Sequence, residues 1–293
     1  MSRAAALLLA AALCSSAAAA PAEAPGPLDA KAAEWAAKGY PLKDRITRQD
    51  GPLTLAAAVY AAKDGSGDRL EAYVLLKGKL YTGYVHPADT EWLELDGTPA
   101  GRSFGDVLKD GSRVFAYRST IRAIGSTSLS VVKFKNFRFK RAAEFPDGRF
   151  AEEKDEVLVV SRDMPLGRFL AVGCEEFGTT SQSAFRTRIF APAKGKFDDA
   201  SAKHPDFYAA EIARKEAAAA RLKGDLRKNA GEYLGLTLSL YYDYAARGEA
   251  RKGWDRQKDF FQIPGYAPAS VKSCFDSMRK TLRGRLGVPA AWP

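Results

Sequence analysis

Histidine, cysteine and methionine are scarce in this chain of 293 residues, which contains two, three and three of them. So few imidazole and sulfur ligands exclude zinc fingers, zinc ribbons and His-rich metal centres. The motifs of a serine-hydrolase elbow, a zinc protease, a dinucleotide-binding loop and a phosphate loop are also missing. We therefore expect no metal and no cofactor, and no motif assigns a catalytic residue.

Long apolar runs are absent after the first 20 residues. Within that segment Arg3 precedes an uncharged apolar run, and small residues follow from Ser15 onward, an order typical of a secretory signal peptide. The run is shorter than the ~20 apolar residues that a membrane span requires. Residues 1–20 are therefore predicted to be a cleaved signal peptide. We expect a periplasmic or extracellular protein with no transmembrane segment in the mature chain.

The next part of the chain, residues 21–50, begins as a spacer rich in proline and alanine. Asp29 is a candidate N-cap and Gly39 a candidate stop signal, so a short helix carrying Trp35 is predicted between them. Residues 51–192 consist of short β-like runs separated by turn residues, which predicts a β-rich domain. The candidate strands are 53–61, 70–76, 80–86, 92–95, 113–118, 128–140, 157–161, 168–172 and 184–190.

Residues 193–202 have the composition of a linker, and residues 203–293 are predicted to form a helical C-terminal region. About three helices are expected there, near 206–223, 229–247 and 270–286, the middle one apolar nearly all round and therefore buried. The fold class is thus α+β: an antiparallel β-sandwich or barrel-like domain followed by helices.

Acidic residues are absent from Gly111 to Ala143, whereas eight basic residues accumulate there. The run from Val132 to Phe139 alternates with period two but changes phase at Asn136, which favours one long strand with a bulge. On such a strand four basic side chains form one outward row. They are Lys133, Lys135, Arg138 and Lys140.

A second basic stretch, from Arg247 to Lys258, surrounds Trp254. Surfaces that combine basic and aromatic side chains bind nucleic acid, anionic glycans or acidic lipid headgroups. An exported protein meets the last two more easily, so nucleic acid is an unlikely partner and an anionic envelope surface or glycan is the candidate. The alternative is an ordinary solvated sheet face whose lysines discourage edge pairing.

Two cysteines remain after removal of the signal peptide, Cys174 and Cys274. An oxidising compartment favours a disulfide between them, whereas the position of Cys274 on an apolar helical stripe favours a buried free thiol. Both alternatives stay open at this point.

Three functions are consistent with these patterns. The first is a non-enzymatic binding or structural protein of the cell envelope, which the lack of a catalytic constellation favours. The second is an envelope hydrolase or transferase with a site of dispersed carboxylates, which paired carboxylates in a cleft would indicate. The third is a carrier of an apolar ligand, which needs a cavity of some hundreds of Å³.

Overall fold

The computed structural model describes residues 25–87, 91–153, 156–167, 184–260, 262 and 264–292. Within them, twelve strands form three antiparallel sheets of four strands each. Sheet 1 contains β1 (Leu42–Asp50), β2 (Leu53–Ala61), β3 (Asp68–Leu76) and β4 (Lys79–Val85). Sheet 2 contains β5 (Glu91–Leu95), β6 (Arg113–Ile121), β7 (Ser126–Lys135) and β8 (Arg138–Pro146). Sheet 3 contains β9 (Arg149–Glu153), β10 (Glu156–Asp163), β11 (Arg186–Ala193) and β12 (Lys196–Asp199).

The helices lie before, between and after the sheets. Helix α1 (Pro27–Ala37) precedes sheet 1, and the single turn α2 (Pro99–Arg102) follows β5. After a short 3-10 helix (Ser201–Lys203) come α3 (Pro205–Lys223), α4 (Leu226–Ala246), α5 (Ala250–Phe260) and α6 (Ala269–Arg285). None of the helices in the described part of the chain has the length and apolar character needed to cross a bilayer.

Sheet 2 is the middle layer, because both of its faces are buried. On β6, Phe115 and Tyr117 join a core shared with sheet 1, whereas Val114 and Ala116 join a core shared with sheet 3. Successive strand residues point to opposite faces, so four consecutive buried residues require a cover on each side. This explains why β6 has a continuous apolar run rather than an alternating one.

The helices cover the two outer faces of the stack. Helix α1 places Leu28, Ala32 and Trp35 against the outer face of sheet 1. On the other side, Tyr208 of α3 packs with Leu158 of β10 in a cluster on the outer face of sheet 3. Helix α4 packs against both α3 and β11, and its buried side chains form the core of the helical region, as its apolar circumference predicts.

The α+β class with an antiparallel sandwich followed by helices is confirmed, with three stacked sheets and four C-terminal helices as refinements. The short helix carrying Trp35 is present, but its N-cap is Gly26 rather than Asp29, which lies in the first turn. The signal peptide 1–20 and the candidate strand 168–172 lie outside the described residues, so both stay predictions.

Two segments were assigned wrongly from composition. Residues 42–50, placed in the spacer and helix region, form β1, and residues 193–202, placed in a linker, contain β12 and a 3-10 turn. Both strands lie at the edge of a sheet, as does β9, which was also not predicted. An edge strand buries fewer side chains and uses charged residues to avoid further pairing, and these three strands lack the apolar pattern that identified the others.

Candidate functional site

The basic segment predicted as one long strand is a β-hairpin. β7 and β8 pair in antiparallel fashion and are joined by Asn136 and Phe137, whose φ angles are 51° and 59°. Two consecutive left-handed residues are typical of the type I′ turn that joins hairpin strands. The predicted bulge at Asn136 is therefore wrong: the change of phase marks a reversal of the chain.

The hairpin brings the four basic residues closer together than one strand would. Lys133 lies directly opposite Lys140, and Lys135 lies directly opposite Arg138. Cβ atoms of such opposed residues are about 4.5–5.5 Å apart, and like charges in these positions destabilise the pairing. The four side chains and Asn136 line a shallow surface concavity of about 500 Å³. These four residues with the turn between them are called the basic hairpin below.

The two lysines of the basic hairpin that lie on β7, Lys133 and Lys135, have intramolecular partners. Lys133 Nζ donates to the Gly195 carbonyl at 2.9 Å, and Lys135 Nζ donates to the carbonyl and Oδ2 of Asp110 at 2.7 and 3.1 Å. A hydrogen bond from Ser112, with those from Lys135, lowers the pKa of Asp110 to about 2. Asp110 is therefore ionised at neutral pH and neutralises part of the surface.

The two basic residues on β8, Arg138 and Lys140, differ from those on β7. Among the described residues, Arg138 and Lys140 make no ion pair and no side-chain hydrogen bond, and both are exposed. Their charges add unfavourably to those opposite them. The hairpin thus holds two cations whose charge is not compensated within the described structure.

Phe137 at the tip is the residue of the site that the sequence reasoning missed. Its side chain is 72% exposed, and among the aromatic rings of the described residues it contacts Phe134 alone, edge to face, at 6.4 Å between centroids. A left-handed φ is strained for a bulky side chain, and glycine is the residue preferred here in an Asn-Gly hairpin turn. Asn136 between two alternating runs was the available signal for a turn.

Trp254 does not belong to a binding surface. It lies in α5 and is only 2% exposed, with the Tyr241 ring 6.5 Å away and the Arg283 guanidinium over its own ring at 5.8 Å. The prediction of a second basic and aromatic surface around Trp254 is therefore wrong, since this tryptophan is part of the core of the helical region. The spacing of charges along the chain did not reveal that α5 turns its tryptophan inward.

Comparison with protein-family models, with curated proteins and with solved structures finds no match for this chain. The chemistry of its surfaces is then the guide to function. Over the residues that the structure describes, no group of three or more His, Cys, Asp or Glu side chains is placed to hold a metal ion.

The two histidines lie in different parts of the molecule. His86 is buried, with Nδ1 2.8 Å from the Tyr117 hydroxyl and Nε2 3.4 Å from Glu91. Burial lowers the pKa of His86 more than Glu91 raises it, so the ring is neutral at pH 7 and takes part in a structural network. His204 precedes α3 and lies 3.1 Å from Glu153.

The candidate disulfide cannot be placed. Cys174 lies outside the described residues, and so does the side chain of Cys274, whose backbone belongs to α6. The pairing stays a prediction.

Proposed function

We propose that this protein is a non-enzymatic binding protein of an exported compartment that attaches to anionic phospholipid surfaces through the basic hairpin. The observation that carries the proposal is the combination of four basic side chains on one hairpin with an exposed phenylalanine at its tip. The export of the protein rests on the predicted signal peptide and is part of the proposal.

Electrostatic attraction supplies the first part of the binding energy. A lysine or arginine near an anionic membrane contributes about 1 kcal/mol. Arg138 and Lys140 have no compensating acid among the described residues. Lipid phosphates would also relieve the repulsion between the cross-strand pairs Lys133/Lys140 and Lys135/Arg138. The same cations that weaken the hairpin on its own thus favour an anionic partner.

Phe137 supplies the second part and selects lipid over a purely ionic polymer. An exposed aromatic ring flanked by cations is the pattern of segments that enter the headgroup region, with the ring among acyl carbons and the charges at the phosphates. Burying a phenylalanine side chain is worth about 1.5–3 kcal/mol. An anionic glycan that binds only through charge would not bury the strained, exposed Phe137 side chain and would gain none of this free energy.

The test is co-sedimentation with vesicles of phosphatidylcholine and phosphatidylserine at low salt. Replacing Arg138 and Lys140 with glutamine removes about 2 kcal/mol, so binding is expected to weaken about thirty-fold. Lys133 and Lys135 are left in place because they bond to Gly195 and Asp110. F137G is expected to weaken binding to vesicles but to leave retention on heparin unchanged, and to melt no lower than the wild type because it relieves the left-handed strain.

The matched control is Lys280→Gln with Arg285→Gln, which removes the same charge from two exposed positions on α6. This variant should bind vesicles as the wild type does. Equal binding of the hairpin variant and the wild type at low salt would contradict the proposal. An equal loss in both double variants would show that only net charge matters, and would contradict it too. If F137G retains full vesicle binding, the ligand is recognised by charge alone.

A further inference from the structure

A separate cavity of about 220 Å³ lies between α3 and one end of sheet 3, and no residue of the basic hairpin lines it. Phe207, Glu211 and Arg214 follow each other at i, i+4 and i+7 and form one stripe of α3. Opposite them, Arg149 pairs with Val160 across β9 and β10, and Arg162 lies two residues further along β10. Residues so related share one sheet face, and this face is turned to the helix.

Four arginines line this cavity: Arg118, Arg149, Arg162 and Arg214. Two of them are paired with carboxylates of the cavity wall. Arg162 Nε donates to Asp147 at 2.6 Å, and Arg214 donates to Glu211 at 2.8 Å. These contacts hold the two guanidinium groups in place but leave further N–H donors on each, since arginine has five.

Arg118 enters the cavity from the middle sheet. Its guanidinium donates to the carbonyl of Gly148, in the turn between β8 and β9, at 3.1 Å. It also donates to Oδ2 of the buried Asp96 at 3.2 Å. Because Asp96 does not line the cavity, the carboxylate neutralises Arg118 from behind. The guanidinium is thereby oriented, with no acid of its own inside the cavity.

Arg149 differs from the other three arginines of the cavity wall. Among the described residues it makes no ion pair and no side-chain hydrogen bond. Hydrogen bonds from Arg214 lower the pKa of Glu211, and the charges of Lys215 and Arg149 lower it further. Arg149 is therefore close enough for its charge to act on Glu211, but it forms no ion pair with that carboxylate.

We propose that this arginine-lined cavity binds a phosphate group, as inorganic phosphate or as the terminal group of a small phosphomonoester. Four guanidinium groups line the cavity against two lining carboxylates and the buried Asp96 behind Arg118, which leaves one positive charge in excess. The planar fork of arginine matches phosphate oxygens bidentately. A volume of about 220 Å³ is large enough for a tetrahedral oxyanion with a short substituent.

Isothermal titration with inorganic phosphate and with glycerol 3-phosphate, both at fixed ionic strength set by sodium chloride, tests this site. Saturable binding of at least one probe is expected, and the stronger of the two shows whether a free anion or a monoester is preferred. Arg149→Gln should weaken binding about tenfold, because it removes a charged hydrogen-bond donor. Arg149→Lys keeps the charge but not the fork, and should give an intermediate loss.

The hairpin variant Arg138→Gln with Lys140→Gln serves as the matched control and should bind phosphate as the wild type does. The two proposals therefore fail separately, since one variant tests vesicles and the other tests phosphate. No saturable binding to the wild type would overturn the inference. So would equal affinities of the wild type and Arg149→Gln, provided that both have the same melting temperature in sodium chloride.

Discussion

Replacing Asp243 with alanine is expected to lower the free energy of unfolding by about 3–5 kcal/mol. Asp243 on α4 accepts a hydrogen bond from Lys215 Nζ on α3 at 2.6 Å. The side chains are 0% and 7% exposed, so both charges lie inside the helical region. The substitution leaves the Lys215 ammonium buried, with Glu211 3.9 Å away as a poor replacement. Urea denaturation followed by circular dichroism measures the loss.

The double variant Lys215→Met with Asp243→Leu should behave differently. Removing both charges together also removes the cost of desolvating them, so its stability is expected to equal or exceed that of the wild type. Asp255→Ala is the surface control, since Asp255 is half exposed and pairs with Arg251 at 3.8 Å. It should cost less than about 1 kcal/mol. A loss at Asp243 no larger than that at Asp255 would contradict the buried pair.

The same pair makes a pH-dependent contribution. Burial raises the pKa of Asp243 to about 6, from an ordinary value of 3.8, although Lys215 opposes the change. The Asp243 carboxyl group therefore binds its proton more tightly in the folded state than in the unfolded chain. Protonation of Asp243 therefore stabilises the folded state. This contribution is complete below about pH 3.8 and is lost as the pH rises through 6. Compared with the double variant, the wild type should lose on the order of 1–3 kcal/mol between pH 4 and pH 6.5.

Replacing Phe115 with alanine is expected to cost about 3–5 kcal/mol, because it opens a cavity in the middle layer of the stack. The Phe115 side chain is fully buried. Its ring lies 5.3 Å from that of Phe104 and 6.2 Å from that of Phe139. Sheets 1 and 2 both contribute to this cluster, so neither sheet can move in to fill the space without disturbing the other. Thermal unfolding at neutral pH measures the effect.

Phe137→Ala is the control for Phe115→Ala, since it removes the same ring from the same sheet at a position that is 72% exposed. It should change the free energy of unfolding by less than about 0.5 kcal/mol. Equal losses at the two positions would contradict the burial of Phe115 in the core between sheets 1 and 2.

Five of the strands were predictable because their apolar content is local information. β2 coincides with the predicted segment 53–61, and β3, β4, β5 and β6 overlap their predictions closely. The burial of α4 followed from apolar side chains on nearly its whole circumference. In each of these elements the pattern of apolar side chains indicates which faces of the element are buried.

Tertiary structure decided the features on which the proposed functions depend. The basic residues 133–140 are evident in the sequence, but whether the chain continues or reverses at Asn136 depends on two left-handed residues and on pairing between β7 and β8. The arginine-lined cavity joins β6, sheet 3 and α3, which are distant along the chain. Trp254 is the opposite case. Its charged neighbours in the sequence predicted a surface position, but the residue packs against α4 and is buried.

Composition and periodicity by themselves determined the α+β class, the strands β2 to β6 and the basic character of residues 111–143. These properties follow from the sequence because burial and charge belong to individual side chains and repeat with the period of their own element. The edge strands β1, β9 and β12, the stacking order of the sheets and the partners of each cation were decided only in the folded chain. They depend on which elements meet, and contacts between residues far apart in sequence leave no local periodic signal.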